Sequence, residues 1–182
     1  MKSQVLQLSM SIMALLLASC AVQVKTFKKP EVDYSEFESW CWMQGCEATY
    51  QGPEYYYDEK VFDEIANAIA WNMSDKGYLQ SDQTSDLVVN FYVIMEEDST
   101  QVEYPDYLSI EQNISWLDVL HPEYYRYLRG TLVIDVLSRK DSELIWSSKA
   151  MKYLETTPKV DKKEIWSNIH KAMKKLPEKE SS

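Results

Sequence analysis

The sequence predicts a small α+β domain with about four strands and two main helices. Three observations carry that expectation. Leu87, Val89, Phe91, Val93 and Met95 point one way and Asn90 and Tyr92 the other, the period of a half-buried strand. Gly130 to Leu137 and Leu144 to Tyr153 flank a turn at Ser138 to Ser142, the pattern of an antiparallel hairpin. Phe62, Ile65, Ile69 and Met73, and again Ile165, Trp166, Ile169 and Met173, recur at helical spacing.

Residues 1–19 read as a signal peptide of the lipoprotein type. Lys2 is a minimal charged start, Val5 to Leu17 is mostly apolar, and Ala18 and Ser19 are the small residues a signal peptidase passes. The order Leu17-Ala18-Ser19-Cys20 resembles a bacterial lipobox, in which the cysteine thiol is alkylated by diacylglycerol before cleavage. Only a thiol supplies that nucleophile, so Cys20 is the expected lipidation site. The apolar run falls short of the about 20 residues that a spanning helix needs. More than one acyl chain is required for stable anchoring. Ala21, rather than an aspartate, follows the cysteine; by resemblance to enterobacterial sorting this favours the outer membrane.

Residues 20–33 then read as an extended tether with Pro30 and Lys25, Lys28 and Lys29. Its reach is at most about 40 Å, at roughly 3.3 Å per residue. One domain is expected over 34–177, with 178–182 as a fraying tail. Tyr34 to Met43 suits a first strand, with Phe37, Trp40 and Trp42 as its bulk. Cys41 and Cys46 lie close together, with Gly45 to let the chain turn back. In an oxidising compartment they suit a structural disulfide; free thiols are the alternative. Glu47 to Tyr57 is a loop whose Tyr55, Tyr56 and Tyr57 either form a binding surface or, as the favoured expectation, lie across the hydrophobic edge of the domain.

Asp58 suits the N-cap of a helix that runs to Lys76 and stops at Gly77. Tyr78 to Ser85 connects it to the strand over 87–95. Glu96 to Leu128 is an aromatic-rich excursion, and long excursions between strands are often functional. Tyr104, Tyr107, Trp116, Tyr124, Tyr125 and Tyr127 are therefore the candidate binding residues; a flap over the sheet is the competing reading. In the last helix, Asp161 is an N-cap, Glu164 the capping-box partner, and Val160 with Ile165 a hydrophobic staple. Pro177 ends it.

The formal net charge of −10 argues against a nucleic-acid partner, which needs a basic footprint, and against lying flat on anionic lipid. His121 and His170 are the only histidines, and His170 sits in a lysine-rich last turn that suits the helix dipole. No pattern asks for a metal or cofactor, and neither a nucleophile elbow nor a phosphate-cradling glycine loop is present. A non-enzymatic protein is expected.

Several stretches resemble the bacterial lipoprotein family known as domain of unknown function 4136. They are Tyr34-Ser-Glu-Phe-Glu-Ser-Trp40, Asp75-Lys-Gly-Tyr78 followed by Ser85-Asp-Leu-Val-Val-Asn90, Gly130-Thr-Leu-Val-Ile-Asp135 with Glu143-Leu-Ile-Trp146, and Ile169 to Pro177. Cys41 and Cys46 depart from that pattern, as does the turn Ser138-Arg139-Lys140, which lacks an acidic residue. The resemblance implies a mainly antiparallel sheet with the helices packed on one face, and implies no reaction. Two functions are expected from it and from the aromatic content. One is a membrane-anchored interaction or assembly factor that holds an envelope protein partner through the excursion or a sheet edge. The other is a periplasmic binding module for a lipid, glycan or peptide.

Overall fold

The structure is a computed structural model; it describes residues 22–98, 127–154 and 161–179. In chain order the strands are β1 (Gln23–Lys28), β2 (Ser39–Trp42), β3 (Leu79–Gln80), β4 (Leu87–Asp98), β5 (Tyr127–Ser138) and β6 (Glu143–Leu154). The helices are α1 (Glu59–Asp75) and α2 (Lys162–Met173), with short 3-10 turns at Tyr34–Glu36 and Glu54–Tyr56. The strands form one six-stranded sheet in the order β1-β6-β5-β4-β2-β3.

The α+β class and the two helices agree with the sequence reading, and the sheet is larger and mixed. β1, β6, β5 and β4 are antiparallel neighbours, whereas β2 runs parallel to both β4 and β3. The two additional strands come from segments read as connections. Residues 23–28, expected within a tether, pair in register with Trp146–Met151 of β6. The physical signal is short: Val22, Val24 and Thr26 are half-buried, while Gln23 and Lys25 face out. Lysines on an edge strand also deter unwanted pairing. β3 lies in the connector after α1. The first strand starts at Ser39 rather than Tyr34, because Asp33 accepts a hydrogen bond from the Ser35 backbone N–H at 2.9 Å and curls the chain.

One row of the register shows that both helices share a face of the sheet. Phe91 pairs with Ile134, and Ile134 with Ser148. The Phe62 ring of α1 stacks on Phe91, with centroids 5.6 Å apart, and Ser148 Oγ donates to the Ala172 carbonyl of α2 at 2.9 Å. Direct cross-strand partners point the same way. Between the layers lie Trp40, Ile69, Met73, Leu87, Val89, Val136, Trp146, Ile169 and Met173, all buried. Each such side chain contributes about 1.5–3 kcal/mol through burial.

The helix ends follow the sequence signals with two differences, the first being that α2 ends at Met173 rather than running to Pro177. Asp58 accepts from Val61 N–H at 3.0 Å and starts α1. Gly77, at φ 89°, ends it in a Schellman motif: Gly77 N–H donates to the Ser74 carbonyl and Tyr78 N–H to that of Met73. Asp161 caps α2 through Lys163 N–H at 2.9 Å. Glu164 is not turned back as a capping box; it forms an ion pair with Lys152 of β6. Val160, the other half of the expected staple, lies outside the described residues.

Candidate functional site at the rim where the chain enters the sheet

The sheet has two rims. Gln23 pairs with Met151, Met151 with Thr131, and Thr131 with Ile94. This row lies toward the rim at which the chain enters β1; β4 and β5 run on past it to Asp98 and Tyr127, where residues 99–126 begin. Cys20 and the candidates Tyr104, Tyr107, Trp116, Tyr124 and Tyr125 lie outside the described residues, as does His121. Tyr127 belongs to the sheet: it opens β5 and pairs with Asp98. Residues 96–98, expected to end the preceding strand, continue it. The excursion therefore narrows to 99–126.

The same rim carries a ledge of tyrosines. Val93 N–H donates to the Gln51 carbonyl at 2.8 Å, one residue from Ile94, and Gln51 Nε2 donates to Asn90 Oδ1 at 2.9 Å. These bonds fasten the loop to the free side of β4, beyond the end of β2. Gly52 lets it lie close, since a Cβ there would stand 2.7 Å from Tyr50 Oη and 3.1 Å from the Val93 carbonyl. Aromatic rings then build outward in layers. Phe62 rests on Phe91; Tyr50 and Tyr57 pack on each other at 4.9 Å and on Phe62 at 6.3 and 6.2 Å. Tyr50 Oη also donates to the Pro53 carbonyl at 2.9 Å, and burial pushes this phenol's pKa up. Outermost, Tyr55 and Tyr56 meet edge to face at 5.3 Å.

The favoured expectation for Tyr55–Tyr57 is thus half correct. Tyr57 covers the hydrophobic edge through Phe62, but Tyr55 is 91% exposed, with Tyr57 and Tyr56 at 49% and 39%. The ledge is a surface on a packed base. The run Tyr55-Tyr56-Tyr57 was its signal in the sequence; the fastening through Gln51 and Asn90 had none.

Cys41 and Cys46 are bonded, as the spacing suggested. Gly45 at φ 63° and Cys46 at φ 64° turn the chain between them. Cys41 is fully buried, and Arg139 Nη2 lies 2.9 Å from its sulfur, while Arg139 Nε donates to the Ser85 carbonyl at 2.7 Å. The disulfide and the β5–β6 turn therefore touch. His170 lies in the last turn of α2, with Nδ1 3.1 Å from Asn72 Oδ1 of α1. Among the described residues, no three His, Cys, Asp or Glu side chains are grouped to hold a metal, and no helix is long and apolar enough to cross a membrane.

These features define an α+β domain with a two-helix layer on one face of a mixed sheet and an aromatic ledge at one rim. The chain belongs to the DUF4136 family, described as a domain of unknown function, whose model matches residues 24–178. That span begins inside β1, in keeping with β1 as part of the domain. The fold is similar to three solved structures. A DUF4136 family protein from Bacteroides thetaiotaomicron is 15% identical with a TM-score of 0.51, over 84% of this chain and 94% of that one. A PelC dodecamer from Paraburkholderia phytofirmans is 9% identical with a TM-score of 0.52, over 88% of this chain and 100% of that one. A PDZ domain protein from Parabacteroides distasonis is 16% identical with a TM-score of 0.54, over 94% of this chain but 40% of that one. No curated protein matches the sequence.

Proposed function

We propose that the protein is an envelope lipoprotein, anchored through acylated Cys20, that acts without catalysis as an interaction or assembly factor. One observation carries this reading. β1 begins at Gln23, so the acylated residue would stand three positions from a strand fixed in the sheet. Such a domain has no loose tether and is held against its leaflet in a defined pose. A domain held this way suits the ordering of a neighbour in the plane of the membrane. The edge of the sheet provides the means: β1 is the outermost strand, and Phe27 on it is 46% exposed. Lys25 and Lys28 on the same strand restrict pairing to a partner that accommodates them. The PelC structure of like fold is a dodecamer, and self-assembly into many copies is one form this role takes.

The test is crosslinking and pull-down from native membranes, with a photo-crosslinker at Phe27 and the Cys20→Ala chain as the unanchored control. A stoichiometric envelope protein, or a second copy of this chain, captured only by the anchored form supports the proposal. A small molecule that copurifies with the domain, with no protein captured, replaces it with the binding-module reading.

A further inference from the structure

We propose that the Cys41–Cys46 bond is a thiol-exchange site reduced by an external dithiol, with Cys46 as the sulfur attacked and Cys41 as the sulfur that leaves. This inference stands apart from the lipoprotein reading and uses no membrane contact. The first argument is access. Cys41 is fully buried in β2, whereas Cys46 is half-buried on a turn whose Met43, Gln44 and Gly45 are exposed. An incoming thiolate therefore reaches Cys46 and not Cys41.

The second argument is charge. Arg139 Nη2 donates to Cys41 Sγ at 2.9 Å. Among the described residues, the other bonds of this guanidinium go to the Ser85 carbonyl and Ser85 Oγ, at 2.7 and 3.1 Å, and none to a carboxylate. The nearby carboxylates are engaged elsewhere: Asp86 accepts from Glu38 and Ser39, and Asp82 from Thr84. The positive charge is left to face the sulfur. It stabilises the anion that forms on Cys41 as the bond breaks, and a better-stabilised thiolate leaves faster. The Trp42 carbonyl oxygen, 3.2 Å from the same sulfur, opposes that anion, but it carries only a partial charge against a full one.

The third argument is reversibility. Met43 N–H donates to the Val89 carbonyl at 2.9 Å and Glu47 N–H to that of Gln44 at 3.0 Å, so the turn keeps the two sulfurs near each other once the bond opens. Cys46 is held at φ 64°, a region that side chains disfavour, and opening the bond frees it to relax. The exchange runs in two displacements. The dithiol's thiolate attacks Cys46 Sγ; a bond forms between those sulfurs, the Cys41–Cys46 bond breaks, and Cys41 leaves with the electron pair beside Arg139. The dithiol's second thiol gives its proton to water and attacks its own partner sulfur, and Cys46 leaves as a thiolate that water protonates. The protein disulfide gains two electrons and the dithiol, now a disulfide, loses them.

The experiment uses the full chain with Cys20→Ala, which leaves Cys41 and Cys46 as its only cysteines. The chain is equilibrated in dithiothreitol redox buffers, and alkylated thiols are counted by mass. Arg139→Met should be about tenfold harder to reduce, equivalent to ~30 mV, and should react severalfold more slowly; Arg139→Lys, which keeps the charge, should fall between. A merely structural role for Arg139 predicts the opposite sign, because a loosened turn makes the bond easier to open. An unchanged or easier reduction of Arg139→Met overturns the proposal. A second measurement needs no change at Arg139: a brief pulse of glutathione, a monothiol, is quenched with acid and the adduct is mapped by peptide mass. The expected adduct is on Cys46, with Cys41 free. An adduct on Cys41, equal adducts on both, or no adduct on a folded chain that denaturant renders reducible overturns it.

Discussion

The two rims of the sheet are built on different principles. At the rim away from the entry point, nearly every connection is tied to another. Asp86 accepts from the backbone N–H groups of Glu38 and Ser39 and from Ser39 Oγ at 2.9–3.0 Å, joining β2 to β4. Arg139 N–H donates to the Asp86 carbonyl, Lys179 N–H to that of Lys76, and Tyr78 Oη to that of Pro177. Tyr34 is buried there, with its hydroxyl 2.7 Å from the Ile145 carbonyl. At the entry rim the described loop is fastened at its base through Gln51 and then presents aromatic surface. One rim spends its polar groups on holding the fold, and the other leaves rings unburied. The contrast sets hydrogen-bonded connections at one end against exposed rings at the other, and it makes mutations at the two ends separable.

Tyr34→Ala should show the largest effect. It removes a buried ring that meets Phe37 edge to face and should cost about 3–5 kcal/mol, read as a lowered urea midpoint. Tyr34→Phe keeps the ring and should cost about 1 kcal/mol for the lost hydrogen bond. A Tyr34→Ala chain as stable as the wild type would remove the distinction between the rims.

Asp86→Ala comes next, at about 2–3 kcal/mol, since it strands the Glu38 and Ser39 donors. The same group sets an acid limb. Burial opposes its charge, but those donors outweigh it and hold its pKa below the usual carboxylate value. Asp33 and Asp82, on the same rim, are lowered by bonds from Ser35 and Thr84. A folded-state pKa below the unfolded one means that the unfolded chain binds more protons as pH falls. Stability should therefore be fully present above about pH 4 and decline below it. Urea midpoints for Asp86→Asn should fall less steeply over that range than those of the wild type; parallel slopes would refute the assignment. On the alkaline side, burial pushes the Tyr34 pKa up to about 12. Its contribution should be complete below about pH 10 and lost above it.

Replacing Cys41 and Cys46 by serine should cost about 2 kcal/mol, because the bridge closes only a short loop. The smallest effect belongs to the ledge: Tyr55→Ala should change stability by less than about 0.5 kcal/mol. A larger loss at Tyr55 would make it structural and erase the contrast.

Much of the core of the fold is legible in the sequence, because its signals are periodic. The α1 and α2 stripes, the Asp58 and Asp161 caps, the Gly77 stop and the β5–β6 hairpin all follow from local patterns. What escaped depends on distant partners. β1 offers few inward residues and becomes a strand only because β6 has an edge to pair. The parallel pairing of β2 with β4 leaves no local trace in Ser39–Trp42. Glu164 carries the capping-box signature, but Lys152, twelve residues earlier, takes it. The candidate site divides likewise. The cysteine pair is readable from spacing, whereas Arg139 at its sulfur is brought there by the β5–β6 turn.

Cys20 carries the proposed anchor, and the mass of the mature N-terminal peptide from membrane-extracted protein tests it most directly. The expected result is a chain that begins at Cys20 and carries a diacylglyceryl group on its sulfur, absent from the Cys20→Ala variant. A chain that retains Met1, or one that carries an unmodified Cys20, would contradict it.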